Sequence, residues 1–353
     1  MNYIEMKRGY LNGWHTWNVR SVLSHVHMPD ALALNIALKE YRNGHYLKET
    51  LVGRFPEGYA RTPAETVYPG PHAFDGSYTE MTLQWCDMEI RVESAVEEDE
   101  LILLATPVTK QIRPAMLVLE GGFLWGRDGW VEQCGQTLIA HTPDGVRTIY
   151  TTGKAMSDPN IPVQTAFLSV TLDTPVAFST NIHRSLADAQ ALVNAHRLTY
   201  YEKTSRYGAL HDMYEAMECA LSWDTIYDAK NDRVISPVSR LWSINSGGYV
   251  LFCWDNFFAS FMASLGCPNL AYSNLREILN EQTEAGFVPN FAYATGQVSA
   301  DRSQPPVGSA MLLETYRILG EKWIVEDMYA DLPRGNRWCA GHRMHPDGAL
   351  GWG

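Results

Sequence analysis

The sequence predicts a multidomain chain in which an antiparallel β-sandwich comes first and a helical domain follows. The chain has 353 residues, and at roughly 150 residues per domain this length favours two domains. Short stretches that alternate apolar and polar residues end near residue 184, and apolar residues at helical spacing follow. We therefore expect a β-sandwich over residues 1–184, a linker helix over 185–205 and a helical domain over 206–353.

The strands of the first half are predicted from alternation and from turn signals. Residues 75–87 and 88–96 alternate apolar and polar side chains, as half-buried strands do. Further short apolar runs follow at residues 101–108, 116–119, 164–170 and 175–180. Turn pairs such as Asp128-Gly129 separate the runs, and this spacing is typical of a β-sandwich. Residues 29–41 are a candidate helical interruption.

The second half shows the period of helices. Ser185 is placed to cap the linker helix, because its hydroxyl can accept a backbone N–H from the first turn. Further helices are predicted over residues 206–227, 255–265, 269–284 and 306–319, with another that starts at 323. The loops between these helices run to roughly 10–25 residues, and loops of that length inside a compact domain are usually functional.

Composition excludes several classes of partner. The formal net charge is −12 and no block of Lys or Arg occurs, so nucleic acid and anionic membrane surfaces are poor partners. No run of ~18 apolar residues predicts a membrane span. Residues 1–14 lack the apolar segment of a secretory signal, and we expect a cytoplasmic protein.

Cysteine and aromatic content bear on ligands. The six cysteines form no CxxC pair, so we expect reduced thiols, no disulfide, no zinc or other metal site and no cofactor. The chain has 11 Trp and 18 Tyr residues, and the C–H face of a pyranose ring stacks well on an indole. Packing in the core accounts for most of these rings equally well.

The first informative loop covers residues 247–258 and runs into a predicted helix. Asp255 lies at the N-terminus of that helix, directly after Trp254. The helix dipole would keep the Asp255 carboxylate ionised, and the Trp254 indole offers a stacking face. A sugar site needs such a platform together with an acceptor for adjacent hydroxyl groups. The alternative is that Asp255 only caps its helix and that Trp254 belongs to the core.

The second informative loop precedes the helix predicted at 306–319. Asn290 lies at its beginning, and Arg302 and Gln304 lie near the helix entrance, just before a Pro-Pro pair suited to a first helical turn. Guanidinium and amide groups together form a donor-rich surface that suits hydroxyl recognition. The alternative is a loop held by its own contacts, with Asp301 orienting Arg302.

These two loops carry a family resemblance. Trp-Asp-x-aromatic-aromatic, then Pro-Asn, then Arg-Ser-Gln-Pro-Pro resembles, in this order, glycoside hydrolase family 63 and the related trehalases. The linker at residues 235–242 is similar to the bacterial glucosidase and mannosylglycerate hydrolase-like branch. The resemblance implies an (α/α)6 barrel behind the β-sandwich, and inverting hydrolysis of an α-linked oligosaccharide or glycoside. It places five residues in the subsite for the non-reducing sugar: Trp254, Asp255, Asn290, Arg302 and Gln304.

The resemblance also has limits. Trehalases carry an Arg shortly before Trp-Asp, whereas Leu251, Phe252 and Cys253 stand here, which disfavours trehalose as the substrate. The family's catalytic acid lies in a loop beyond a segment like that which starts at Asn336, and its base lies further on. We therefore expect the catalytic residues beyond Gly353, with only part of the barrel present in this chain.

A partial barrel without the catalytic residues would affect both the activity and the self-association of the chain. The chain alone should be inactive as a hydrolase, and exposed barrel helices could lead to self-association. The first alternative is a non-catalytic carbohydrate-binding protein. The second is a half-enzyme that needs a separate chain.

Overall fold

The computed structural model describes residues 2–50, 65–110, 114–242 and 248–351. Gly247, which begins the first informative loop, lies outside these ranges, as do Trp352 and Gly353 at the end of the second half. The chain divides into two compact units, one made of Met1–Leu11 with Ala220–Gly353 and the other of Asn12–Cys219. We call them the helical unit and the sheet unit. Among the described residues, no helix is both long enough and apolar enough to cross a membrane.

The sheet unit is built from two antiparallel sheets. Its strands are β1 (Trp14–His15), β2 (Ser24–His27), β3 (Leu32–Glu40), β4 (Tyr46–Leu47), β5 (Thr66–His72), β6 (Tyr78–Trp85), β7 (Met88–Glu97), β8 (Glu100–Pro107), β9 (Ala115–Phe123), β10 (Trp130–Cys134), β11 (Thr137–Thr142), β12 (Gly145–Thr151), β13 (Ala166–Thr171) and β14 (Val176–Thr180). Within the described ranges, the first sheet has the order β1-β2-β3-β9-β13, and β4 also pairs with β3. The second has the order β10-β11-β12-β14-β8-β7-β6-β5.

The burial pattern of the strands shows where the core of the sheet unit lies. β3 and β9 are buried along nearly their whole length, as expected for central strands covered on both faces. β6 instead alternates buried and half-buried residues, which is the pattern of a strand with one wet face. Helix α2 (Leu186–Ser205) packs Ala189 and Val193 against the second sheet. The Ser185 side chain accepts the Asp188 N–H at 3.2 Å, so the predicted cap is confirmed.

The helical unit combines helices with two short two-stranded sheets. Its elements are α1 (Tyr3–Tyr10), α3 (His211–Asp224, whose residues fall in both units), β15 (Ile226–Asp228), β16 (Arg233–Ile235), β17 (Val250–Phe252), α4 (Cys253–Ala263), α5 (Pro268–Leu279), β18 (Phe291–Tyr293), α6 (Gly308–Leu319), α7 (Lys322–Met328) and α8 (Asp331–Arg343). β15 pairs with β16 and β17 pairs with β18, both antiparallel. α4 contacts α5 and α6, and α6 contacts α7 and α8.

The predicted fold class is wrong. In the part of the chain that the structure describes, no (α/α)6 barrel is evident, and antiparallel sheets are the larger structural component. The helical periods were read correctly in α4, α5 and α6, but helices alone do not make concentric rings. The segment between α5 and α6 contains β18, which pairs with β17 directly before α4, and the helices pack into a small cluster around α4 and α6. Residues 29–41 are also not a helix, because they contain strand β3.

The start of α6 illustrates how tightly this cluster packs. A Cβ on Gly308 would lie 2.6 Å from Phe257 Cζ and 2.8 Å from Leu332 Cδ2, so α4 and α8 both contact the bare glycine. We expect Gly308→Ala to lower the free energy of unfolding by about 1–3 kcal/mol through overpacking. Urea denaturation followed by circular dichroism measures this loss.

Gly341→Ala is the matched control for this substitution. Gly341 lies in α8, where an added Cβ would meet no neighbouring side chain of the described residues within 4 Å. That change should be neutral or stabilising by up to ~1 kcal/mol, because alanine favours the helix over glycine. Equal costs at both positions would contradict the close packing at Gly308.

Candidate functional site

A short β-ladder joins the two informative loops. β17 pairs with β18 in the register Val250↔Tyr293, Leu251↔Ala292 and Phe252↔Phe291. The ladder continues by one step, since the Cys253 N–H donates to the Asn290 carbonyl at 3.1 Å. Trp254 and Asp255 therefore follow this ladder at the same end as Asn290.

The stretch that carries Arg302 is held against the β18 side of the same ladder. The Asn290 N–H donates to the Arg302 carbonyl at 3.1 Å, and the Ser299 N–H donates to the Phe291 carbonyl at 3.0 Å. The Ser299 hydroxyl donates to the Arg302 carbonyl at 3.1 Å. Three backbone segments thus lie side by side. Main-chain groups and the Ser299 hydroxyl hold them together, and the side chains of Asn290 and Arg302 take no part in these contacts.

Gln304 caps α4 from a distant part of the chain. The first backbone N–H groups of a helix have no partner within the helix, and a polar N-cap side chain usually accepts one of them. Phe252 occupies the N-cap of α4 and has no acceptor in its side chain. Gln304 Oε1 takes this role instead, and accepts the Trp254 N–H at 2.8 Å. One hydrogen bond therefore connects the Trp-Asp motif to the Arg-Ser-Gln motif.

Asp255 lies in the first turn of α4 and is half-buried. Burial raises the pKa of its carboxyl, and its own backbone N–H and the Trp254 side chain offset this only in part. Burial thus opposes the effect of the helix dipole, and the expectation that Asp255 is ionised stays a prediction. Trp254 is half-exposed and packs in a tilted arrangement with Phe258, with their ring centroids 6.4 Å apart.

A cleft of about 400 Å³ opens beside the α4 N-terminus. Its lining combines apolar side chains, two thiols and several amides: Cys253, Phe257, Leu279, Gln282, Gly286, Val288, Ser303, Gln304, Pro306, Gly308, Leu332, Gly335, Asn336, Trp338 and Cys339. An adjoining hollow of about 470 Å³ shares Ser303, Gln304, Pro306 and Cys339, and adds Arg343 among other residues. Burial raises the pKa of Cys253 to about 12 and also raises that of Cys339, so both remain thiols at neutral pH.

Helix α8 supplies one wall of the cleft, and sequence reasoning missed it. The Arg343 guanidinium donates to Ser303 Oγ at 2.9 Å and to the Asp301 carbonyl, and it lies 5.2 Å from the Trp338 ring centroid. The Phe287 and Trp338 ring centroids are 4.6 Å apart. Pro333, Gly335 and Gly341 obscured the helical pattern of this segment, although proline is compatible with a first helical turn.

The five predicted sugar-binding residues take different places in this arrangement. Gln304 lines the cleft, whereas Trp254 and Asp255 lie next to it along α4 without lining it. Asn290 and Arg302 contribute backbone groups, and Arg302 is exposed. Among the described residues, Asp301 and Arg302 form no ion pair, so the predicted internal pairing is absent.

The described lining of the cleft contains no carboxyl group. Three carboxyl groups of the helical unit outside this lining have other surroundings. Glu314 Oε1 lies 2.6 Å from Arg317 Nη1, and Asp228 lies 2.9 Å from Arg233 Nε. Asp224 is the last residue of α3, and burial raises its pKa to about 6. The described lining therefore provides no pair of carboxyl groups for acid–base cleavage of a glycosidic bond.

Comparison with known proteins finds limited similarity. No family model and no curated protein match the chain. Among solved structures, it is similar to a protein assigned as a kojibiose phosphorylase from the human microbiome (9% identity, TM-score 0.36, 92% of this chain and 52% of that chain). It is also similar to a family GH92 α-mannosidase from Bacteroides thetaiotaomicron in complex with mannoimidazole (8% identity, TM-score 0.36, 94% and 55%). A further GH92-family glycosyl hydrolase matches at 10% identity and a TM-score of 0.28, with 100% and 67% covered.

The chain thus spans about half the length of the first two of these structures. All three are carbohydrate-active proteins by their descriptions, but similarity at this level assigns neither a family nor an activity to this chain. The resemblance to family 63 rests on the sequence motifs alone.

Proposed function

We propose that this chain is a glycosidase-like protein whose cleft at the α4 N-terminus binds a sugar. The observation that carries the proposal is the hydrogen bond from Trp254 N–H to Gln304 Oε1, because Gln304 also lines the cleft. Through it, two motifs 50 residues apart in sequence meet at one concave surface.

The chemistry of the cleft supports a sugar ligand. The lining contains the aromatic rings of Trp338 and Phe257, and the amides of Gln304 and Asn336 bring both donor and acceptor groups. A pyranose ring needs this combination, since its C–H face is apolar and its edge carries hydroxyl groups. In the proposal, Trp254, Asp255, Asn290 and Arg302 complete the subsite at the rim.

The finer proposal is inverting hydrolysis of α-glycosidic bonds, as the resemblance to family 63 implies. Inversion needs two carboxyl groups about 6.5–9.5 Å apart, one as acid and one as base. Because the described lining has no carboxyl, we expect this chain to bind a small α-glucoside or α-mannoside without turning it over. The same observation favours the second candidate, a carbohydrate-binding protein without catalytic activity.

Sugar titration tests the proposed subsite. Methyl α-glucoside, methyl α-mannoside and a panel of α-linked disaccharides are titrated by calorimetry into the parent chain, Trp254→Ala and Asp255→Asn. We expect at least one sugar to bind. Asp255→Asn should weaken binding about tenfold or more, since a hydrogen bond to a charged group contributes ~1.5–3 kcal/mol. Trp254→Ala should weaken it by removing the stacking face. Trp130→Ala is the control, because Trp130 is 61% exposed in the sheet unit and should not affect affinity.

Several outcomes would contradict the proposal. Absence of binding across the panel would remove the sugar-binding function. Binding that is unchanged in both Trp254→Ala and Asp255→Asn would remove the subsite assignment. Release of p-nitrophenol from p-nitrophenyl α-glucoside above the rate of a buffer blank would contradict the expected lack of turnover.

A further inference from the structure

Three side chains of types that can bind metal ions lie close together in the sheet unit, although they come from distant segments of the chain. Glu40 ends β3, His45 lies in the turn before β4, and Cys86 lies in the turn between β6 and β7. A carboxylate oxygen, a ring nitrogen and the thiol sulfur all lie within 4.8 Å of one another. Glu40 Oε1 and His45 Nδ1 are 3.1 Å apart. No motif in the sequence indicates this cluster, because its members come from hairpins of two different sheets.

The Glu40 carboxylate is held in one orientation. It is 1% exposed, and it accepts the N–H groups of Arg42 at 2.8 Å, His45 at 2.8 Å and Asn43 at 3.0 and 3.1 Å. The Asn43 N–H is shared between both oxygens. Each carboxylate oxygen therefore faces two N–H groups, and these contacts fix the orientation of the carboxylate.

His45 Nδ1 has the features of a ligand atom. It is a buried atom that, among the described residues, has no hydrogen bond of acceptable geometry. At zinc–nitrogen and zinc–oxygen distances of about 2.0–2.2 Å, two ligands of a tetrahedral ion lie ~3.3 Å apart. The observed separation of 3.1 Å between His45 Nδ1 and Glu40 Oε1 is close to this distance between two ligand atoms.

Cys86 supplies the sulfur from a turn of fixed geometry. Cys86 and Asp87 have φ values of 50° and 62°, which are the left-handed angles of a two-residue type I′ hairpin turn. Cys86 is half-buried, and it also lines an open hollow of about 700 Å³ together with Trp85, Asp87 and Glu89. A fourth ligand such as water could reach an ion from this side.

We propose that Glu40, His45 and Cys86 bind a Zn²⁺ ion, with three protein ligands and one position open to solvent. Mixed carboxylate, imidazole and thiolate donors suit zinc, whose protein sites are usually tetrahedral. Binding converts the Cys86 thiol to a thiolate and releases its proton to solvent, so the site becomes neutral overall. The ion would connect the β3–β4 hairpin of the first sheet to the β6–β7 hairpin of the second. The proposal is independent of the sugar site, which lies in the other unit.

Metal titration tests this site. The full chain is stripped with a chelator, and Zn²⁺ is titrated against a chromophoric competitor. We expect one tight equivalent, and a rise in thermal midpoint with added Zn²⁺, because a ligand that binds only the folded state stabilises it. Cobalt(II) in place of zinc should show tetrahedral d–d bands and a thiolate-to-cobalt charge-transfer band.

Variants identify the ligands. Cys86→Ser should lose the charge-transfer band and bind zinc at least tenfold more weakly, and His45→Ala should weaken it similarly. Cys134→Ser is the control, because Cys134 is an exposed cysteine on β10, and it should behave like the parent. Glu40 is left intact, since its carboxylate also holds its own turn. Circular dichroism without metal must be unchanged in these variants.

The opposite results would overturn the proposal. The chain would bind no tight equivalent of zinc, or its cobalt spectrum would be octahedral without a charge-transfer band. Parental zinc affinity in both Cys86→Ser and His45→Ala would contradict the proposal as well. Since sugar binding is measured separately, loss of one proposal leaves the other standing.

Discussion

Replacement of Arg233 by Leu is expected to lower the free energy of unfolding by about 3–5 kcal/mol, the usual cost of removing one partner from a buried ion pair. The Arg233 side chain is 3% exposed. Its Nε donates to Asp228 Oδ2 at 2.9 Å, and its Nη1 donates to Glu281 Oε1 at 2.6 Å. Without the guanidinium, the Asp228 carboxylate stays buried and loses its only charged partner among the described ion pairs.

The same network supports the candidate site. Asp228 also accepts the hydroxyl of Tyr249, which directly precedes β17, and the side-chain amide of Asn231 at 2.6 Å. β17 in turn leads into the α4 N-terminus that carries Trp254. We therefore expect Arg233→Leu to weaken sugar binding as well, although Arg233 does not line the cleft.

Urea denaturation of the parent and the variant measures the loss of stability. Arg317→Leu is the matched control, because Arg317 forms an ion pair of similar length with Glu314 on the surface, where the two side chains are 62% and 38% exposed. Exposed pairs contribute ~0–1 kcal/mol, so the control should remain close to the parent. Equal losses in both variants would show that burial of the Arg233 network has no special energetic weight.

Local signals in the sequence predicted the helices well where a cap or a stop was present. Ser185 begins α2 as expected, and Gly320 ends α6 with a left-handed φ of 70°, the conformation in which glycine is favoured. α8 lacks such clarity, because Pro333, Gly335 and Gly341 interrupt its pattern. β15, β16, β17 and β18 have three residues each, too few to show a period.

The arrangement of these elements could not be predicted from the same signals. A helical period fixes which face of a helix is buried, but the partner of that face depends on contacts across the whole chain. The two loops were predicted to carry one site, and the β17–β18 ladder does bring Trp254 and Gln304 together. That Gln304 serves as the cap of α4 could not be read from the sequence, because the acceptor and the donor are 50 residues apart. The binding roles of these residues stay a prediction.

The stability of the chain is expected to fall as pH rises through the range in which a buried carboxyl, Glu218, titrates. Glu218 lies on α3 and is 6% exposed. Burial raises its pKa to about 7, and the nearby carboxylates Asp75 and Glu215 contribute to the rise. The hydrogen bond from the Phe74 N–H and the nearby Tyr200 hydroxyl oppose it only in part. An unfolded Glu has its ordinary pKa near 4.5.

The sign of the pH dependence follows from the two proton affinities. Between about pH 4.5 and pH 7, the folded chain keeps a proton on Glu218 that the unfolded chain has released. The group therefore has no effect on stability below pH 4.5. Above pH 7 the difference between the folded and unfolded pKa values costs ~3 kcal/mol, since each pH unit between them corresponds to about 1.4 kcal/mol.

Glu218→Gln removes this titration while it keeps the size of the side chain and an acceptor for the Phe74 N–H. We expect the variant to gain ~2–3 kcal/mol over the parent near pH 8, and to match it near pH 4.5, because only the parent must ionise a buried carboxyl. Unfolding free energies measured by urea denaturation across this range give the difference, and Glu202→Gln, at an exposed position of α2, serves as the control. Other groups that titrate in the same range, such as Asp224, cancel in the comparison of variant with parent. Stability curves of parent and variant that run parallel from about pH 5 to pH 8 would contradict this prediction. They would show that Glu218 is ionised in the folded chain, with a partner that offsets the effect of burial on its pKa.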